Sequence, residues 1–249
     1  MKNIKHPYGN KKSIILKSFK IFLQKLIRFF VNFFCKLDEH DEIIISSATH
    51  APWLKDKEFK QFYNKIKNFT LLDHARAYTL WQCSKNLNKI HGNILDVGCL
   101  LGGSGFLMSR ANKNGSTHLV DSFAGFKKND GLHKRGVFFY NDIDFVKSNI
   151  KNLKLSSTFV HKAYFTKNIK FKIKKIKLCH IDVNTFEDTN KVFNYIQKKM
   201  IKGGLIIFDD FGIWGVDGIK KFIYKIEKDY EDKFIFIKNY MGQCILIKK

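Results

Sequence analysis

Three aspartates stand where chemistry is easiest to build. Asp182 closes the apolar run Ile176-Lys-Leu-Cys-His-Ile, and the adjacent pair Asp209 and Asp210 closes Gly203-Gly-Leu-Ile-Ile-Phe. Short Ile-rich runs followed by helix-like stretches read as buried parallel strands. Neighbouring strands would set both acidic ends on one carboxyl edge, roughly 5 Å apart, which is where open α/β sheets bind ligands. Carboxylates crowded there repel one another unless a cation joins them, and hard oxygen donors favour Mg²⁺ or Ca²⁺. The alternative at each position is a helix N-cap, a role aspartate also fills well.

A second constellation is the glycine-rich turn Asp96-Val-Gly98-Cys-Leu-Leu-Gly102-Gly103-Ser104-Gly105, between a strand pattern from Asn93 and a helix-like stretch from Phe106. Gly98 permits a sharp turn, and Gly102 and Gly103 are expected to let backbone approach a ligand with no Cβ in the way. Amides at the helix start suit a carboxylate or phosphate. The spacing is not G-x-G-x-x-G, which argues against a nicotinamide or flavin site; Asp96 suits an ammonium group instead. The next strand pattern ends in Asp121, at the interval from Gly98 where an acid accepts hydrogen bonds from ribose hydroxyls. An edge carrying Asp96, Asp121 and Asp182 has the polarity to hold S-adenosylmethionine. The amine would meet Asp96, the ribose Asp121, and the sulfonium would face the metal.

With these residues in view, the chain resembles the macrocin O-methyltransferase (TylF-type) family over about residues 70 to 249. Asp96-Val-Gly-Cys-Leu-Leu-Gly-Gly-Ser looks like the family's first motif, which usually has Glu where this chain has Asp96. Val120-Asp121-Ser122-Phe123-Ala-Gly125-Phe is similar to F-D-S-F-x-G-L, and His180-Ile-Asp182-Val-Asn184-Thr-Phe-Glu187-Asp-Thr189 to L-D-G-D-L-Y-E-S-T. Lys202-Gly203-Gly204-Leu-Ile-Ile-Phe-Asp209-Asp210-Phe-Gly212 resembles P-G-G-x-I-x-x-D-D-Y-G, and Gly218-Ile-Lys-Lys a G-x-R-x-A helix start. Two departures stand out: Asn184 replaces the second Asp of the D-G-D element, and Lys202 replaces the usual Pro.

The resemblance implies a Rossmann-like class I methyltransferase fold, with helices on both faces of a seven-stranded, mostly parallel sheet. It also implies methyl transfer from S-adenosylmethionine to a sugar hydroxyl of a glycan or glycosylated metabolite. Asp96, Gly98, Gly102, Ser104, Asp121 and Ser122 would hold the cofactor, and Asp182, Asp209 and Asp210 would bind Mg²⁺. Asp182 is the candidate proton acceptor. Some metal-dependent catechol methyltransferases place a lysine three residues beyond the first metal Asp, a position that here is Thr185; His133 is a second, loop-borne candidate.

The elements that must position these groups follow from periodicity and punctuation. Helices are predicted near 13–36, 56–68, 71–89, 103–113, 142–153, 187–200 and 217–228. Strands are predicted near 93–98, 116–121, 157–163, 176–182, 204–209, 233–238 and 242–248. The alternation alone gives α/β, mostly parallel. The resemblance supplies the strand order, in which the hairpin around Tyr240-Met-Gly242 inserts a final antiparallel strand. At 249 residues, the chain accommodates a methyltransferase domain over 70–249 behind a helical extension over 1–69. His40 to Asn68 is a candidate lid over the acceptor site.

Forty-five Lys and Arg against 22 acids give a net charge of +23, which suits nucleic acid, an acidic glycan or an anionic membrane. A chain-wide bias toward Lys, Asn, Ile and Phe is the competing explanation. Nucleic acid is disfavoured by the local chemistry. Base-amino methylation calls for an N-P-P-Y-like element where this chain has Asp182-Val-Asn-Thr-Phe, and Cys179 lies inside its strand, unlike a ring-carbon nucleophile. RNA ribose methylation and a non-catalytic cofactor-binding module are the rival functions. The cysteines at 35, 83, 99, 179 and 244 form no C-x-x-C pair and read as thiols of a reducing cytoplasm.

Near the N-terminus, Phe, Leu and Ile crowd the stretch 13–36, while Lys17, Lys20, Gln24, Arg28 and Asn32 recur along one helical face. Its cations argue against a spanning helix, and no small-residue cleavage site follows it. Two readings stand: a basic amphipathic helix peripheral at the inner face of a membrane, or a helix packed on the catalytic domain or on a second subunit of a homo-oligomer.

Overall fold

Runs of β-branched and aromatic residues make seven strands in this computed structural model, which describes residues 11–34, 50–126, 134–138, 142–165, 171–213 and 215–249. They are β1 (Asn93–Val97), β2 (Thr117–Asp121), β3 (Thr158–Lys162), β4 (Ile176–Ile181), β5 (Met200–Phe208), β6 (Phe234–Lys238) and β7 (Cys244–Lys248). The sheet order is β3-β2-β1-β4-β5-β7-β6. Pairing is parallel from β3 to β5, while β7 runs antiparallel to both β5 and β6. β5 begins at Met200, earlier than predicted. Met200 pairs with Ile176, and the register shifts before Leu178 pairs with Leu205. A Cβ on Gly204 would stand 2.9–3.2 Å from the carbonyl oxygens of Ile201, Ile176 and Lys177. The two glycines therefore mark an irregularity within a longer strand rather than its beginning.

The chain divides into two units, Met1–Pro52 and Trp53–Lys249. The first contains α1 (Lys11–Phe34). Among the described residues, six α-helices belong to the second: α2 (Lys57–Ile66), α3 (His74–Asn86), α4 (Gly103–Ala111), α5 (Ile143–Asn152), α6 (Phe186–Ile196) and α7 (Asp217–Tyr230). The division thus falls after residue 52 rather than 69. Its physical reason is α2, whose Phe59, Phe62, Tyr63 and Ile66 are buried in a cluster with Trp81, Phe106 and Leu119. A helix spent on the core in this way is no lid, contrary to the expectation for residues 40–68. Residues 40–49 of that stretch, together with His133 and Cys35, lie outside the described residues.

Helices cover both faces of the sheet. α2 to α5 contribute to the cluster around Phe106, and α6 and α7 to the one around Phe193, Phe208 and Phe222. The ring centroids of Phe193 and Phe208 lie 5.6 and 5.8 Å from that of Phe222, so the abundant Phe forms a packed aromatic layer. Asp56 caps α2 by accepting from the Phe59 amide, and Asp73 caps α3 by accepting from the amides of Ala75 and Arg76. Opposite the acidic edge, fully buried Lys177 donates to the carbonyls of Leu87, Ile90 and Asn114 at 3.3, 3.4 and 2.6 Å. The buried charge is thereby satisfied and ties β4 to the connections beside it. Among the described residues, no helix is long and apolar enough to cross a membrane.

Candidate active site

The site is assembled by parallel hydrogen bonding that runs one residue past the strand ends. The amide of Gly98 donates to Val120, that of Asp182 to Val97 and that of Asp209 to Ile181, each at 2.9 Å. Gly98, Asp182 and Asp209, far apart in the sequence, thus meet on one carboxyl edge. Gly98 is required there: its φ is +83°, and a Cβ would strike the Asp182 carbonyl. A cavity of about 1170 Å³ opens on this edge, its wall including Gly98, Ser104, Asp121, Ser122, Asp182 and Asp210. That volume lies slightly above the usual range for one small ligand, leaving room for a donor and an acceptor together.

None of the three aspartates is a helix cap. Thr185 caps α6 by accepting from the Asp188 amide, and α7 has no side-chain cap. The acids face one another instead. One ligand atom each from His180, Asp182 and Asp209 lies within 4.8 Å of the others. Asn184 joins Asp182 to Asp210. With its amide nitrogen turned inward it donates to Asp210 Oδ2 at 2.6 Å and Asp182 Oδ1 at 3.1 Å. With its oxygen turned inward it becomes a third hard donor beside theirs. Asn184 and Asp210 both hold left-handed backbone, φ +60° and +58°, a conformation asparagine and aspartate tolerate and one that gathers at functional sites.

Arg76, on α3, was invisible to sequence reasoning. Its Nη1 donates to Asp209 Oδ2 at 2.5 Å and lies 3.4 Å from Asp210 Oδ1, while Nε donates to Asp73 at 2.8 Å. Gln243 Nε2 takes the other Asp209 oxygen at 2.9 Å. Asp209, only 1 % exposed, is therefore held by protein donors on both oxygens. The expected equal triad is uneven: Asp182, Asn184, Asp209 and Asp210 all line the cavity, but Asp209 is anchored by Arg76 and Gln243. This donor set fits a hard divalent cation, with Asp209 able to join only through a lone pair left beside Arg76 or Gln243.

Electrostatics agree with a cluster short of positive charge. Burial, then the charges of Asp209 and Asp210, push the Asp182 carboxyl well above the usual carboxylate range. Burial and Asp209 lift Asp210 to about 6 despite Arg76. Behind them, His180 Nδ1 lies 2.7 Å from Asp96 Oδ1, and the Ser104 hydroxyl donates to Asp96 Oδ2 at 2.7 Å. Burial pulls the His180 imidazolium down, but its hydrogen bond to Asp96 and the surrounding acids outweigh that and raise it to about 9. His180 Nε2, buried on the side of Asp182 and Asp209, has no hydrogen-bond partner among the described residues.

The residues expected to hold the cofactor divide between the cavity wall and the interior. Asp121 lines the cavity and is fixed by the amides of Leu100 and Phe123, at 3.0 and 2.9 Å. Ser104 and Ser122 are on the wall. Asp96 and Gly102 are not among the lining residues. Asp96 is fully buried with both oxygens engaged, so it braces the turn and His180 rather than facing the cavity. Gly102 adopts φ +93° at the start of α4, where a Cβ would meet the Phe106 ring at 2.5 Å; a Cβ on Gly103 would meet the Phe69 carbonyl at 2.6 Å. The missing side chains admit protein packing, not ligand backbone approach.

The sequence model of the macrocin-O-methyltransferase (TylF) family matches residues 55–237. A search of curated protein sequences finds no match. Among solved structures, the O-methyltransferase NovP is similar with a TM-score of 0.62 and 17 % identity, over 73 % of this chain and 82 % of that one. The calicheamicin methyltransferase CalS11 gives 0.58 and 12 %, over 85 % and 99 %. The O-methyltransferase TomG from Streptomyces achromogenes, solved with S-adenosylmethionine, gives 0.51 and 14 %, over 78 % and 91 %. Those identities establish the fold, and the family match covers most of the chain. With residues 55–237 matched by its model, the chain belongs to the macrocin-O-methyltransferase (TylF) family and is an S-adenosylmethionine-dependent O-methyltransferase.

Proposed function

We propose that the protein methylates a sugar hydroxyl with the help of a divalent cation held by Asp182, Asp210 and Asn184, with Asp209 behind them. The observation that carries this reading is the convergence of Asp182 and Asp210 on Asn184, whose inward side-chain atom lies 3.1 and 2.6 Å from theirs, beside a cavity wide enough for two ligands. A divalent cation there lowers the pKa of a bound hydroxyl and fixes its oxygen. The residues supply the rest. Asp182, on the cavity wall, would accept the hydroxyl proton as that oxygen takes the methyl group from the sulfonium of S-adenosylmethionine, whose S–C bond breaks to leave S-adenosylhomocysteine. Arg76 and Gln243 hold Asp209 still, and Asp121 on the cavity wall is the residue assigned to the ribose. Around the mouth, Glu187, Asp188, Lys191, Asp217 and Lys221 offer a polar rim. Such a rim suits an acceptor whose many hydroxyls each donate and accept, and family membership supports a sugar.

The test is transfer of labelled methyl to a panel of nucleotide sugars and glycans. Incorporation into a sugar, lost with EDTA and restored by Mg²⁺, is expected. Asp182→Asn should lower kcat on the order of 10²- to 10⁴-fold. Transfer indifferent to chelator would refute the cation, and transfer to RNA in place of every sugar would refute the acceptor.

A further inference from the structure

We infer that α1 is a membrane-surface anchor that lies in the plane of an anionic bilayer. Its 24 residues make a helix about 36 Å long. On a 3.6-residue turn, Phe19, Phe22, Leu26, Phe29, Phe30 and Phe33 fall within about 100° of arc. Those side chains are exposed, Phe22 at 61 %, Phe29 at 66 % and Phe33 at 75 %. Lys20, Gln24, Lys25 and Arg28 lie outside that arc. The charge is one-sided along the chain as well: nine Lys and Arg and no acid precede Asp38.

This combination selects the occupant. RNA would satisfy the cations and leave a face of phenylalanines in water. A second copy docked face to face would bring two cationic helices together. A lipid surface containing anionic headgroups takes both features at once, apolar rings into the acyl boundary and cations at the phosphates. The inference concerns the first unit alone and stands or falls apart from the methyl-transfer reading.

Flotation of the full chain with vesicles of phosphatidylcholine, or of phosphatidylcholine mixed with phosphatidylglycerol, tests it. Binding is expected to be at least about tenfold tighter to the mixed vesicles and to weaken with salt. Phe22→Ser with Phe29→Ser, and separately Lys25→Glu with Arg28→Glu, should each reduce it about tenfold or more. S-adenosylhomocysteine affinity should stay unchanged, showing that the second unit is folded. A Phe22→Trp reporter should shift its emission to the blue with mixed vesicles only. Equal affinity for both vesicles, absence of binding to either, or a dimer that the Phe pair abolishes without any lipid dependence would overturn the inference.

Discussion

Arg76 couples the acidic cluster to the body of the protein, and its energetics follow from burial. Its side chain is 14 % exposed and that of Asp209 1 %, so removing the guanidinium strands a carboxylate with little water to solvate it. Breaking such a pair costs about 3–5 kcal/mol. Arg76→Gln is expected to lower unfolding free energy by about 3 kcal/mol in urea melts, with Mg²⁺ restoring more of the loss than it adds to the wild type. Unchanged stability would show that the ion pair contributes nothing. Neither Arg76 nor Gln243 could be found from the sequence, because each comes from an element with no motif, 133 and 34 residues away from Asp209. The acids were legible because they end apolar runs. Asp96 was legible as part of the turn but not in its direction, since its partner His180 sits one strand over.

At the scale of elements, parallel strands were plain where Ile and Leu recur in a short run, as in the fully buried β4. β5 was cut short in the sequence reading by Gly203 and Gly204, which look like a strand boundary until pairing across β4 is seen. The caps Asp56 and Asp73 mark the helix starts better than hydrophobic periodicity does. A titration test belongs to β2 and β3. His118 Nδ1 and His161 Nε2 face each other at 3.0 Å, so one ring must donate and the other accept, and a proton on both disrupts the pair. Burial, with His161 adding to it, depresses His118 from 6.5 to about 4. The folded imidazole thus stays neutral while the unfolded one binds a proton near 6.5. Stability from this pair is full above that pH and lost as pH falls toward 4. The half-exposed site screens the effect to on the order of 1 kcal/mol. His118→Phe should flatten the stability profile between pH 6.5 and 4 in thermal melts, and an unchanged slope would place the sensitivity elsewhere.

For the whole molecule, two units of different character share one chain. The second has both clusters of its core and its acidic edge, and family resemblance read from motifs anticipated its inserted antiparallel strand, β7 between β5 and β6. The first is a basic helix whose partner no motif names. The +23 charge belongs to both, which is why composition alone could not assign it. The central proposal concerns the second unit: its edge carboxylates, with Asn184, would hold one divalent cation. Isothermal titration of Mg²⁺ into the S-adenosylhomocysteine-loaded protein tests it without relying on turnover. One ion per chain is expected for the wild type. Asn184→Leu should weaken it about tenfold, and Asp182→Asn with Asp210→Asn should abolish it. No ion taken up by the wild type, or an isotherm that the double substitution leaves unchanged, would contradict the account.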